Sequence, residues 1–179
     1  MNSLEKGLGT LKPGQSLIIV TTDEKYFTVA SMVLEYMTKK KKHSGVYVSI
    51  SKPFEKVVNA VKNVDWGKVL FLDGVSRSLR KKAPEGEGCV FLQGPTSLTE
   101  IGIYLTKASQ KTELGFVIVD SVSSLLVYNK DATVLRFVQY LVAKTKNLEL
   151  VGIVVVSKDD EEKAVFKMLN DMSDKVIRY

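Results

Sequence analysis

FVIVDS, residues 116–121, is the stretch on which the reading of the fold turns. Its four apolar residues are aromatic or β-branched and run without a polar break, so the segment is a short strand covered on both faces. It stops at Asp120–Ser121, a polar pair suited to a strand end. Runs of the same kind stand before and after it: SLIIV at 16–20, GVYVSI at 45–50, VLFL at 69–72, CVFLQ at 89–93 and VGIVVV at 151–156, with a last short strand expected at 176–179. Between them the apolar residues change to helical spacing. Phe27, Ala30, Val33, Leu34 and Met37 predict a helix over 26–40, and Pro53 suits the first turn of one reaching 62. Further helices are expected at 97–111, 131–147 and 161–172. Buried strands alternating with helices imply a three-layer α/β/α sandwich around a mainly parallel sheet, built as a single domain over 1–179.

Composition agrees with a chain that can bury a core. It has 179 residues, of which 45% are hydrophobic and 26% charged. No apolar run reaches the roughly 18–20 residues of a membrane helix, and the first residues lack the apolar stretch of a secretory leader. One cysteine, Cys89, and one histidine, His43, offer neither a disulfide nor a metal cluster. A cytoplasmic protein without cofactor or metal is the expectation. The net charge of +6 is unevenly placed: residues 1–112 carry 17 basic and 10 acidic residues, residues 113–179 carry 9 and 10. Two clusters supply the excess, Lys39, Lys40, Lys41 and Lys42, and Arg77, Arg80, Lys81 and Lys82.

In a parallel sheet, ligands bind off the carboxyl ends of the strands. The residues to question are therefore 21–28, 51–52, 73–74, 120–121 and 157–159. Here three motifs in order, LKPGQSLIIVTT, YVSISKPFEK and FVIVDSVSSLL, resemble the core of the RecA/KaiC-like P-loop ATPases over residues 10–179. The resemblance implies a RecA-like topology, a phosphate loop after the first strand, a catalytic acid after the second, and a Walker B Asp at Asp120.

The sequence departs from that pattern at the residues that do the chemistry. An ungapped alignment of GxxxxGK[ST] puts Thr21 and Tyr26 at the two glycines, Phe27 at the lysine and Thr28 at the hydroxyl position. A phosphate loop needs bare backbone for close approach and a cation for the β- and γ-phosphates. Asp23 and Glu24 satisfy a helix N-terminus but repel a triphosphate. Ser51–Lys52–Pro53 stands where the family has Glu-Glu-Pro. Asp120 is then expected to be structural, capping the turn or helix that follows. These departures point to a non-catalytic RecA/KaiC-like homologue, not an enzyme, that works as a regulatory or protein-interaction module of the kind used in signal transduction. Self-association or pairing with an active relative is what the resemblance implies for partners.

Other readings share the same residues. Thr21, Lys25, Thr28 and Asp120 form the nucleotide site of an alternative in which ATP is still bound without efficient hydrolysis. Asp23, Glu24, Asp73, Ser121 and Lys158 are the residue types of a phosphoacceptor receiver, although the intervals from Asp73 onward are too long for one. The eight residues of the two basic clusters are candidate partner contacts, and could meet nucleic-acid phosphates. One cluster enters a strand and the other leaves one, however, and neither has interleaved aromatics, so an acidic protein surface is the simpler partner. Trp66 is expected at a core edge, His43 in a solvent loop, Cys89 as an inert buried thiol, and Asp159 to Glu162 as acids at a helix start.

Overall fold

In a computed structural model describing residues 3–79 and 88–179, seven strands form one sheet. They are β1 (Ser16–Thr21), β2 (Ser44–Ser49), β3 (Val69–Asp73), β4 (Cys89–Phe91), β5 (Leu114–Asp120), β6 (Val151–Ser157) and β7 (Lys175–Arg178), in the order β4-β3-β2-β5-β6-β1-β7. Every pairing is parallel. All six residues of β1 and the last five of β2 and β5 are buried, which is why these strands read as unbroken apolar runs.

Alternation along each strand divides the interior into two cores. Leu17, Ile19, Tyr47, Phe71 and Ile118 face one side, packed against α1 (Ser3–Gly9), α2 (Tyr26–Glu35) and α3 (Phe54–Ala60). Ile18, Val20, Val46, Val48, Leu72 and Val117 face the other, under α5 (Leu98–Lys111), α6 (Val122–Tyr128), α7 (Asp131–Asn147) and α8 (Ala164–Met172). The helix α4 (Ser76–Leu79) follows β3. This is the expected α/β/α sandwich.

Several details differ from the sequence reading. Three short helices were not expected, among them α4, which opens the stretch 75–88 that reads as a polar, Gly-containing loop. α1 is seven residues long and is held by Leu4 and Leu8, both fully buried. α6 starts on Ser121, whose Oγ accepts from the Ser124 amide at 3.1 Å. Hydroxyl caps of this kind satisfy the first free amides of a helix. The capping role expected of Asp120 thus belongs to its neighbour. The last helix begins at Ala164, not 161, because residues 158–160 form a 3-10 turn. His43 does not lie in a solvent loop. It is half-buried against Gly115, where a Cβ would come within 2.4 Å of the imidazole, and its buried Nδ1 has no hydrogen-bond partner among the described residues. Trp66 packs at the core edge as expected, its ring 6.4 Å from that of Phe71.

Candidate functional site

The carboxyl ends of four adjacent strands, β2, β5, β6 and β1, surround a cleft of about 350 Å³ whose lining includes Thr21, Ser51, Lys52, Ser121 and Ser157. Parallel strands bring these ends together however far apart they lie in sequence. Asp120 closes β5 at the centre of this row, in register with Ser49 of β2 and Val155 of β6.

The Asp120 carboxylate is covered. Only 1% of the residue is exposed. The hydroxyls of Tyr26 and Tyr47 both donate to Oδ2, and they lie 3.2 Å from one another. Ser51 Oγ approaches Oδ1 at 3.4 Å. Tyr26 comes from the first turn of α2 and is 6% exposed, whereas Tyr47 rises from the interior of β2. The Lys52 Nζ stands 5.4 Å from the Tyr26 ring centroid, a cation over a π-face. Burial pushes the Asp120 carboxyl up to about 6, against the two phenols, the Lys52 charge and Ser51, all of which favour the ionised form. Burial and the Asp120 charge push both phenols up, so they remain protonated donors.

The other residues of the suspected nucleotide site are dispersed. Thr21 is buried at the end of β1 and lines the cleft. Lys25 is exposed, with its Nζ 5.4 Å from the Tyr179 ring, so it leans toward the β7 side. Thr28 is exposed one turn into α2, and neither Lys25 nor Thr28 lines the cleft. The cleft's second cation, Lys163, is paired with Asp160 at 2.6 Å. The four residues therefore do not converge: Thr21 and Asp120 lie near the cleft, Lys25 and Thr28 turn away.

Asp73 is buried and its oxygens are fully engaged. Oδ2 accepts from the Phe54 amide at 2.7 Å and from Ser76 Oγ at 2.6 Å, while Oδ1 accepts from the amides of Val75 and Ser76 at 2.7 and 2.8 Å. It ties the starts of α3 and α4 to the sheet. A phosphoacceptor needs a free oxygen facing solvent, and Asp73 has none to offer. Cys89 is half-buried, not buried as expected; burial and the Asp73 charge push its thiol up to about 12, which suits an inert thiol.

Of the basic residues, Lys39, Lys40, Lys41 and Lys42 are exposed where α2 runs out through a π turn, at the amino end of β2. Lys40 pairs with Glu5 at 2.6 Å, and this contact lowers the glutamate and raises the lysine. Arg77 is exposed after β3. Because β2 and β3 are parallel, the first cluster and Arg77 lie at opposite strand ends. Arg80, Lys81 and Lys82 lie outside the described residues.

A profile described as a family of unknown function, DUF7504, matches residues 50–179. The chain belongs to this family. The matched part carries Ser51, Lys52 and Asp120, while β1, α2 and the two tyrosines that cover Asp120 precede it. No curated protein matches the sequence. Among solved structures, the family member resembles the KaiC-like protein PH0186 from the hyperthermophilic archaeon Pyrococcus horikoshii OT3. The superposition has a TM-score of 0.68 at 13% identity, covering 93% of this chain and 72% of that one. The fold is therefore RecA/KaiC-like. Among the described residues, no helix is long and apolar enough to cross a membrane.

Sequence reasoning placed Tyr26 at a phosphate-loop glycine without finding where its hydroxyl goes, and it overlooked Tyr47 altogether. One signal was available: Tyr47 is the one phenol inside the GVYVSI run, and a buried phenol needs a partner for its hydroxyl.

Proposed function

We propose that this chain is a non-catalytic RecA/KaiC-like homologue that acts as a regulatory or protein-interaction module and has lost ATP hydrolysis. One observation carries the reading: the acid at the Walker B place, Asp120, is buried beneath Tyr26 and Tyr47, with both hydroxyls on one carboxylate oxygen. A Walker B Asp holds Mg²⁺ through solvent. An acid sealed by two phenols has no such path, and one of those phenols, Tyr26, is the residue that the ungapped alignment sets at the loop's second glycine. Lys25 turned away from the cleft, and Ser51–Lys52 standing where the resembled family has its glutamates, support the same reading.

A calorimetric titration of the full chain with ATP and Mg²⁺ tests it. The expected result is no binding heat. Micromolar binding that Asp120→Ala abolishes would overturn the proposal in favour of a nucleotide-binding protein. The exposed Lys39, Lys41 and Lys42 are candidate contacts for an acidic partner, and the resemblance implies a neighbour of similar fold.

A further inference from the structure

The outer helical layer carries a surface that the cleft does not use. α5 and α7 leave between them a groove of about 740 Å³. Its floor is apolar: Phe137 is almost fully buried there, and the Tyr140 ring lies across Gly102, where a Cβ would come 2.8 Å from the tyrosine hydroxyl. Its walls are apolar and open, with Ile103 46% and Tyr140 43% exposed. Gly102 opens the space, since a larger residue there would meet the Tyr140 ring. From Leu98 to Lys107 the α5 wall runs for about 13 Å, at 1.5 Å per residue. That length takes two to three side chains spaced i, i+3/i+4 and i+7 along a helix.

Charge decides what fits. Among the described residues, the ionised ones lining the groove are Lys107 on α5 and Arg136 on α7, one on each wall, and none is Asp or Glu. A second copy of the same face, related by a two-fold axis, would bring cation against cation over an apolar floor. A nucleic acid would find two cations beside a surface it cannot desolvate favourably. A helix with apolar residues on one face and carboxylates flanking them would meet both the floor and the rim. We infer that the α5–α7 groove is a docking site for an acidic amphipathic helix of a partner protein. Its apolar knobs lie on Phe137, Tyr140 and Ile103, and its carboxylates reach Lys107 and Arg136. The site lies away from the strand-end cleft, so it stands or falls separately from the loss of nucleotide chemistry.

The test is a two-dimensional NMR titration of the isotope-labelled full chain with a synthetic helix of about four turns. This peptide carries Leu at i, i+3/i+4 and i+7, with Glu on both flanks. A second peptide replaces each Glu by Lys. The expected result is a set of shifts confined to α5 and α7, with the acidic peptide bound at least about tenfold more tightly than the basic one. Ile103→Asp, at an exposed position, should weaken the acidic peptide by more than about tenfold while leaving the rest of the spectrum unchanged. The double variant Lys107→Glu/Arg136→Glu, which spares the floor, should reverse the preference. Shifts elsewhere, equal affinity for the two peptides, or no shift at about 1 mM peptide would overturn the proposal. So would sedimentation showing a dimer that Ile103→Asp dissolves, because the groove would then be covered by a second copy.

Discussion

The strand-end cleft and the α5–α7 groove are opposites in construction. At the strand ends around the cleft, polar groups are consumed internally: Asp120 is held by two phenols and Lys163 by Asp160, and beside them on β3 Asp73 is held by three amides and a hydroxyl. At the groove, apolar groups are left uncovered, with Ile103 and Tyr140 nearly half in solvent. Burying a charge is unfavourable unless partners hold it, while exposing apolar surface is unfavourable unless something covers it. The chain has resolved the first problem from within and left the second open. In this fold the strand ends are the usual ligand site, whereas here the open apolar surface lies on the helices.

The sharpest way to break this contrast is to remove the partners of Asp120. Tyr26→Phe with Tyr47→Phe leaves a buried carboxylate without its principal donors, and the expected loss at neutral pH is about 3–5 kcal/mol by chemical denaturation. The loss should shrink in acid, where the carboxyl is protonated and needs no compensation. A double variant as stable as the parent at pH 7 would mean that Asp120 is not sealed by these phenols.

Asp120→Asn probes the same site with a smaller effect and a defined sign. The folded carboxyl titrates near 6, above its ordinary 3.8, so between these values the folded state binds more protons than the unfolded one. Its contribution is complete below the lower value and is lost as pH rises through the upper one. The parent should therefore lose about 2 kcal/mol relative to the Asn variant between pH 4 and pH 7. Denaturation midpoints of the two chains across that range check it, and parallel curves would refute the assignment.

Ser121→Ala removes the Oγ that accepts from Ser124 and should lower stability by about 1 kcal/mol, measured as a shift in the denaturation midpoint. This separates the capping role of Ser121 from the buried role of Asp120 beside it. The smallest effect is expected at the groove. Tyr140→Ser removes a ring that already lies 43% in solvent and should change stability by less than about 1 kcal/mol, while eliminating binding of the acidic helix. A large loss of stability there would make Tyr140 a core residue and narrow the contrast between the two regions.

The strand runs were legible because continuous apolar segments have few other uses in a chain this size. Helix α7 was legible over its whole length, since Val134, Val138 and Leu141 keep to one face and lie buried. The departure of Thr21, Tyr26 and Phe27 from the resembled phosphate-loop pattern could likewise be read directly. α1 and α6 were not legible: seven residues carry too few turns to show a period, and both depend on docking to stay formed.

By itself the sequence determined the layering, and it showed which residue types stand at the strand ends, because both rest on local chemistry: which residues repel water, and which carry charge. Only the tertiary structure decided what Asp120 does and where an open surface remains. Tyr26, Tyr47 and Asp120 are 21 and 73 residues apart along the chain, and parallel pairing of β2 with β5 brings the last two together. Ile103 and Tyr140 likewise belong to separate helices, and each alone is an ordinary apolar residue. Their groove exists because Gly102 lets one helix lie close under the ring of the other, a relation between side chains that no local pattern records.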